Sequence, residues 1–137
     1  MRVAVDTNVL VRAVMADDEA QAAAARALLA GASQIVVPLP VFCELVWVLR
    51  RCYGLTAAEA ASVVEGLADA AEVEADRPAV EAGLALLRAG GDFADGAAAH
   101  VGRVMGGEQF ESFDRQAVRL LQEQGVAAHL LTTAPKT

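Results

Sequence analysis

Aromatic residues make up only 4% of this 137-residue chain, and it has two cysteines. Cys43 and Cys52 stand on what reads as one helix, about 900° of rotation apart, so they face opposite ways and can neither pair nor share a metal ion. Buried thiols in a reducing compartment are the expectation. No apolar run approaches the roughly 18 residues of a membrane span, because Arg26, Glu44, Arg88 and similar charges interrupt each candidate. A signal-peptide pattern is also missing, since Met1 to Val5 is followed at once by Asp6, and a cytoplasmic protein is expected. Positive charge is in short supply: 11 Lys and Arg stand against 18 Asp and Glu, a net charge of −7. Proteins that hold nucleic acid mainly by counterion release are normally basic, so diffuse coating of DNA or RNA is disfavoured and any nucleic-acid chemistry must be local. Neither an internal repeat nor a linker is evident, and the length suits one domain over residues 1–137.

What the chain does have is helix-forming composition. Hydrophobic residues reach 55%, much of it alanine, which rules out disorder. Arg2 to Asp6 is expected to be a short buried strand and Val9 to Met15 a helix. Asp17 and Asp18 precede a helix over Ala20 to Ala30 that Gly31 closes. Ile35 to Val37 is a second strand, and a helix follows from Val41 to about Cys52, started by Pro40. Thr56 with Glu59 forms a capping box for a helix to about Ala70. Around Glu72 to Glu74 the chain is either extended or a linker. Asp76 with Pro78 starts a helix that ends at Gly90 and Gly91, and Asp92 caps another through Met105. Gln109 to Phe113 is a strand ending at Asp114, Arg115 to Gln124 an amphipathic helix, and Ala127 to Leu131 a last strand before a polar tail over 132–137. Strands alternating with helices predict an α/β fold, a three-layer α/β/α sandwich around a mainly parallel central sheet.

Acids fall at informative places in that scheme. Asp6 and Asp114 each terminate a strand, and open α/β sheets bind ligands outside the carboxyl ends of their strands. If those strands are neighbours, the two carboxylates project about 4.8 Å apart. Glu44, in the helix after the second strand, starts from the same edge, and Asp95 lies in the first turn of its helix. Two like charges 4 Å apart repel by about 4 kcal/mol at an effective dielectric near 20, so gathering four is costly unless a cation joins them. A hard divalent cation such as Mg²⁺ fits carboxylates, and partly hydrated Mg²⁺ can activate water and stabilise a phosphoryl oxygen. Each acid also has an ordinary explanation. Asp92 and Asp95 suit a helix N-terminus, Asp114 suits an N-cap, and Asp6 suits a turn. Glu44 is harder to explain this way, because it interrupts the apolar sequence Val41 to Leu49, where a charge would be nearly buried unless it faced a cleft. His100 and His129 have no partner at ligand spacing and are expected to be structural or surface residues.

Four ordered motifs resemble the PIN-domain ribonucleases, and in particular VapC-type toxins of type II toxin–antitoxin (VapBC) pairs. They are Asp6-Thr7-Asn8 after an apolar strand, Pro38-Leu39-Pro40 leading into Phe42-Cys43-Glu44-Leu45, Asp92-Phe93-Ala94-Asp95-Gly96, and Ser112-Phe113-Asp114-Arg115. The resemblance spans essentially the whole chain. It implies an acidic quartet, Asp6, Glu44, Asp95 and Asp114, that is catalytic and holds Mg²⁺ or Mn²⁺. Thr7 would support Asp6 through its hydroxyl, while Asn8 serves either the site or the turn. Ser112 stands where the family commonly has Thr and keeps the hydroxyl. Asp92 is an extra acid beside the third position, and Asp95 is preferred because its place inside the helix matches the motif. Metal-bound water would then attack an RNA phosphodiester in line. Arg12, Arg51 and Arg115 are candidates for RNA contact, weighed against solvated or locally paired arginines.

The same resemblance implies a VapB-type antitoxin that inserts a basic residue among the carboxylates, a homodimer, higher assemblies, and promoter DNA bound only through the antitoxin. Trp47, Leu49, Tyr53 and Leu55 look more exposed than a helical layer needs, with core packing the default for each. Competing readings are a housekeeping PIN nuclease in RNA processing and a non-catalytic acidic binding module. A different Mg²⁺-dependent phosphotransfer enzyme would need an Asp-x-Asp nucleophile or a phosphate-cradling glycine loop, and neither is present.

Overall fold

The structure, a computed structural model, describes residues 1–133; the end of the polar tail expected over 132–137 lies outside the described residues. It divides into two compact units, Met1–Val80 and Glu81 onward.

In the first unit the order is β1 (Arg2–Ala4), α1 (Thr7–Met15), α2 (Glu19–Gly31), β2 (Gln34–Val36), α3 (Leu39–Arg51), α4 (Ala57–Asp69) and β3 (Val73–Glu74). β2 is central and pairs parallel with β1 and β3, placing Val3, Ile35 and Val73 side by side. Parallel strands need crossovers, and the two helices between each pair of strands supply them. α1 packs on α2 and α3, and α3 on α4.

α3 shows how an almost uniformly apolar segment chooses its faces. Phe42, Leu45, Val46 and Leu49 follow helical i, i+3, i+4, i+7 spacing and are buried. Glu44, Trp47 and Arg51 share the other face and are exposed. Glu44 is therefore not the nearly buried charge that its neighbours suggested. Leu49 is fully buried, whereas Trp47 is 60% exposed. Cys52 is exposed at the end of α3 and Cys43 is half-buried, so the expectation of two buried thiols fails for Cys52.

The second unit takes in most of α5 (Arg77–Arg88), then α6 (Phe93–Val104), β4 (Phe110–Ser112), α7 (Arg115–Glu123) and β5 (Ala128–Leu130). β4 and β5 form a separate parallel pair with Phe110 opposite Ala128. Leu86, Ala99, Val118, Leu120, Leu121 and Ala128 form its core, with Phe110, Val126 and Leu130 against them. α5 and α6 approach closely through glycines. A Cβ on Gly96 would lie 2.5 Å from the Ala82 carbonyl oxygen, and one on Gly83 would lie 2.6 Å from the Phe93 ring.

The α/β class with parallel strands is as the alternation predicts, but hydrogen bonding divides the strands between two sheets. β1 has no ladder to β4 among the described residues, so Asp6 and Asp114 do not leave hydrogen-bonded neighbours. Boundaries differ where an acid does two jobs. β1 stops at Ala4 and α1 starts at Thr7 because Asp6 is the N-cap rather than the end of the strand. α2 runs through Gly31 and is capped by Ala32. The capping box at Thr56 and Glu59 is present, with bonds of 3.1 and 2.9 Å.

Candidate active site

In the first unit, β1 and β2 run parallel and in register, so the segments after them, Asp6 and the start of α3, leave the same edge of the sheet. Asp6 has extended backbone, and its Oδ1 accepts the Val9 N–H at 3.1 Å. That bond holds the carboxylate by one oxygen. Asp6 thus caps α1, which packs on α3, the helix that carries the exposed Glu44. Thr7 is the one polar side chain in the buried class among the described residues. Asn8 is exposed, and with Asp6 it lines an open groove of about 300 Å³ between α1 and α2.

Of the arginines considered for RNA, Arg12 is engaged locally. Its guanidinium pairs with Asp17 at 2.9 Å, and Asp17 also accepts the Tyr53 hydroxyl at 2.7 Å. The Tyr53 bond, with help from Arg12, holds the Asp17 carboxyl below its ordinary range. Arg51 is exposed in the last turn of α3, and Arg115 is exposed at the first position of α7.

The second unit gathers acids at two helix starts. Asp92 caps α6, accepting from the Ala94 N–H at 3.0 Å, and Asp114 caps α7, accepting from Ala117 at 3.0 Å. Ser112 fixes the approach to Asp114, its Oγ accepting the Asp114 N–H at 3.0 Å. The two N-termini are tied through Gln116, whose Nε2 donates to the Gly90 carbonyl at 3.1 Å. Gly90 has φ of +104°, a conformation open to glycine at little cost, and this turns the chain toward Asp92.

Asp95, in the first turn of α6, caps nothing. Burial, then the charges of Asp92 and Asp114, raise its pKa above the ordinary carboxylate value. The structure thus brings Asp92, Asp95 and Asp114 within electrostatic reach of one another, while Asp6 and Glu44 belong to the other unit. Both explanations of the acids hold at once, because Asp6, Asp92 and Asp114 are all true N-caps.

Sequence reasoning missed Gln116 and Gly90, which position acids without belonging to a motif. The only signal was a polar side chain two residues inside an Asp-capped helix, too common to single out. His129 is exposed, and its Nδ1 lies 2.7 Å from Glu111 Oε2 across the β4–β5 pair, while His100 is half-buried.

Chemically, the donors are hard carboxylate oxygens, the type that Mg²⁺ and Mn²⁺ prefer. Among the described residues, Asp6, Glu44, Asp92, Asp95 and Asp114 form no ion pair, so their charges are not neutralised by protein cations. No three His, Cys, Asp or Glu side chains among the described residues are grouped tightly enough to chelate an ion by themselves. Burial first, then the charges of Asp92 and Asp114, raise the proton affinity of Asp95; a cation would offset the repulsive part, and the carboxylate donors are of the kind that suits a divalent metal.

No helix among the described residues is long and apolar enough to cross a membrane. No curated protein is significantly similar to the chain. The profile of the PIN domain matches residues 3–121, a span that runs through both units and includes Asp6, Glu44, Asp95 and Asp114. The chain therefore belongs to the PIN domain family, whose members are generally metal-dependent nucleases.

Proposed function

We propose that residues 1–137 are a single PIN domain acting as a Mg²⁺- or Mn²⁺-dependent endoribonuclease, the VapC-type toxin of a type II toxin–antitoxin pair. The observation that carries the nuclease reading is Asp95, a carboxyl that caps no helix and whose pKa is raised by burial and two neighbouring carboxylates. The helix dipole favours an acid in the first turn of α6, but burial and the two neighbouring charges work against its ionised form, a balance that a bound cation would tip. Asp6, Glu44, Asp95 and Asp114 would hold the ion. When bound, the metal lowers the pKa of a coordinated water and offsets charge on the phosphoryl oxygen.

The chain's own residues prepare that chemistry. The Val9 and Ala117 N–H groups hold one oxygen each of Asp6 and Asp114, fixing both carboxylates. Ser112 and the Gln116–Gly90 bond set the direction of Asp114 and the spacing of the two helix starts. Thr7 supports Asp6 from its buried position, Asn8 stands beside it, and Asp92 adds charge that strengthens the pull on a cation. Arg51 and Arg115, both exposed, are available to RNA phosphates, and Arg12 serves there only if it leaves Asp17.

The toxin role rests on the sequence resemblance. It brings a VapB-type antitoxin placing a basic group among the acids, a homodimer for which the exposed Trp47 offers contact area, and promoter DNA reached through the antitoxin. The purified chain should cleave RNA with Mg²⁺ or Mn²⁺, lose cleavage in EDTA, and lose it in Asp95→Asn. Expression should arrest growth, and a small DNA-binding protein encoded beside the gene should relieve the arrest. Cleavage without arrest would instead favour RNA processing. No cleavage, with a basic peptide still bound, would favour an acidic binding module. Sedimentation as a monomer at micromolar concentration would remove the dimer.

A further inference from the structure

The turn between β4 and α7 carries an aromatic residue with no structural task. Phe113 is 70% exposed, whereas Phe42 and Phe93 are fully buried and Phe110 packs against the core of the second unit. Its backbone is held on both sides. Ser112 Oγ accepts the Asp114 N–H, and Asp114 caps α7, so the backbone that carries the ring is anchored next to Asp114. Directly after it, α7 presents Arg115 and Arg119 one turn apart. Two cations at i, i+4 repel and weaken a helix, and Arg119 is paired with Glu123 at 3.6 Å. Arg115 forms no ion pair among the described residues. An open groove of about 530 Å³ runs here, lined by Arg115, Arg119, Gln122 and Leu130 and by no acidic residue.

In a chain of net charge −7, an acid-free, two-arginine groove whose first lining residue, Arg115, follows an exposed ring by two positions matches the two elements that bind single-stranded nucleic acid. These are cations that follow the backbone and an aromatic face on which a base stacks. We infer that Phe113 and the groove along α7 form a single-stranded RNA track, with one base stacked on Phe113 next to Asp114 and the flanking phosphates on Arg115 and Arg119. This rests on the nuclease reading for the identity of the nucleic acid. A duplex is excluded from such stacking, because its bases are already stacked on each other.

The test is the affinity of the full chain, in an Asp95→Asn background that prevents turnover, for a short single-stranded oligoribonucleotide, followed by fluorescence anisotropy across a salt series. Phe113→Ala should weaken binding by roughly 5- to 150-fold, the range for loss of one stacked base. Phe113→Trp should keep the affinity and add a tryptophan signal quenched by RNA. Arg119→Gln should lower the salt slope by about 0.7, the value for one phosphate on a single strand. The high exposure of both residues predicts that the variants fold, which melting curves check. Equal affinity of Phe113→Ala and its background overturns the track, as does a preference for duplex. If Phe113→Ala instead weakens self-association and leaves RNA binding unchanged, the face is a protein contact and the track is wrong. Cleavage by the native chain of the same RNA with Mg²⁺ separates the two claims. Cleavage with indifferent variants removes only the track, affinity losses without any cleavage remove only the nuclease, and no binding at all removes both.

Discussion

Each unit contains a pair of helices capped by aspartate, and the two pairs are used differently. In the first unit Asp6 caps α1 and Asp18 caps α2, and the carboxylate next to the second cap, Asp17, is taken up by Arg12 and Tyr53. In the second unit Asp92 caps α6 and Asp114 caps α7, a side-chain bond from Gln116 ties the two starts together, and the third carboxylate, Asp95, meets its neighbours' charge instead of a cation. The capping chemistry is the same in both. The difference is whether the carboxylate beside the cap is given a protein partner, as Asp17 is, or left facing like charge, as Asp95 is.

The largest effect should come from removing the unpartnered charge. Asp95→Asn should reduce metal-dependent RNA cleavage by more than the 10- to 100-fold typical of residues that only support a metal site, about 100-fold or beyond in kcat/KM. Its stability signature has the opposite sign. The folded state holds the Asp95 proton more tightly than the unfolded chain, so stability from this group is present at low pH and lost as pH rises through the raised pKa. Asp95→Asn should therefore raise Tm near neutral pH, and the gain should vanish below the ordinary carboxylate range, near pH 4. Mg²⁺ should raise the Tm of the native chain and leave the variant unchanged. A variant less stable at neutral pH would break the contrast between the units.

Next in size, Gly96→Ala should cost about 1–3 kcal/mol in urea unfolding, because the new methyl meets the Ala82 carbonyl oxygen at 2.5 Å and α6 must move off α5. Cleavage should fall with it, since α6 carries Asp95. Thr56→Ala removes a capping box in the first unit and should cost about 1 kcal/mol with cleavage unchanged, showing a cap that serves folding alone. The smallest effect belongs to Asp17→Asn. The Asp17 pKa is lowered by Tyr53 and Arg12, so its contribution is present above the unfolded pKa and lost as pH falls through the lowered one. A slight drop in Tm at neutral pH that disappears in acid is the expected result.

Element order was legible because caps and breakers are local. Thr56 with Glu59, Asp92 before Phe93 and Gly125 after α7 act within a few residues, and the helices begin and end close to them. Pairing of strands was not legible. Strands of two or three residues carry too little pattern to state which neighbour they meet, and β4 joined β5 in a sheet separate from β1. Glu44 shows the same limit at one residue. The apolar run from Val41 to Leu49 suggested burial, but the period of the helix, with Phe42, Leu45, Val46 and Leu49 inward, turns Glu44 out beside Trp47 and Arg51. The acids of the candidate site were chosen by motif and strand end. What the sequence did not disclose is the bond from Gln116 to Gly90, a contact between residues 26 apart, which brings two capped helix starts together.

Three of the motif acids are also helix caps, and this bears on descent. A family member that kept this fold without nuclease activity would still need capping groups at the positions of Asp6, Asp92 and Asp114, and Asn or Ser would serve there almost as well. Selection for folding alone would thus preserve capping side chains at these positions without requiring them to stay acidic. Asp95 has no such protection, since the folded state gains from losing its charge. It is the position at which a retired enzyme would be expected to change first.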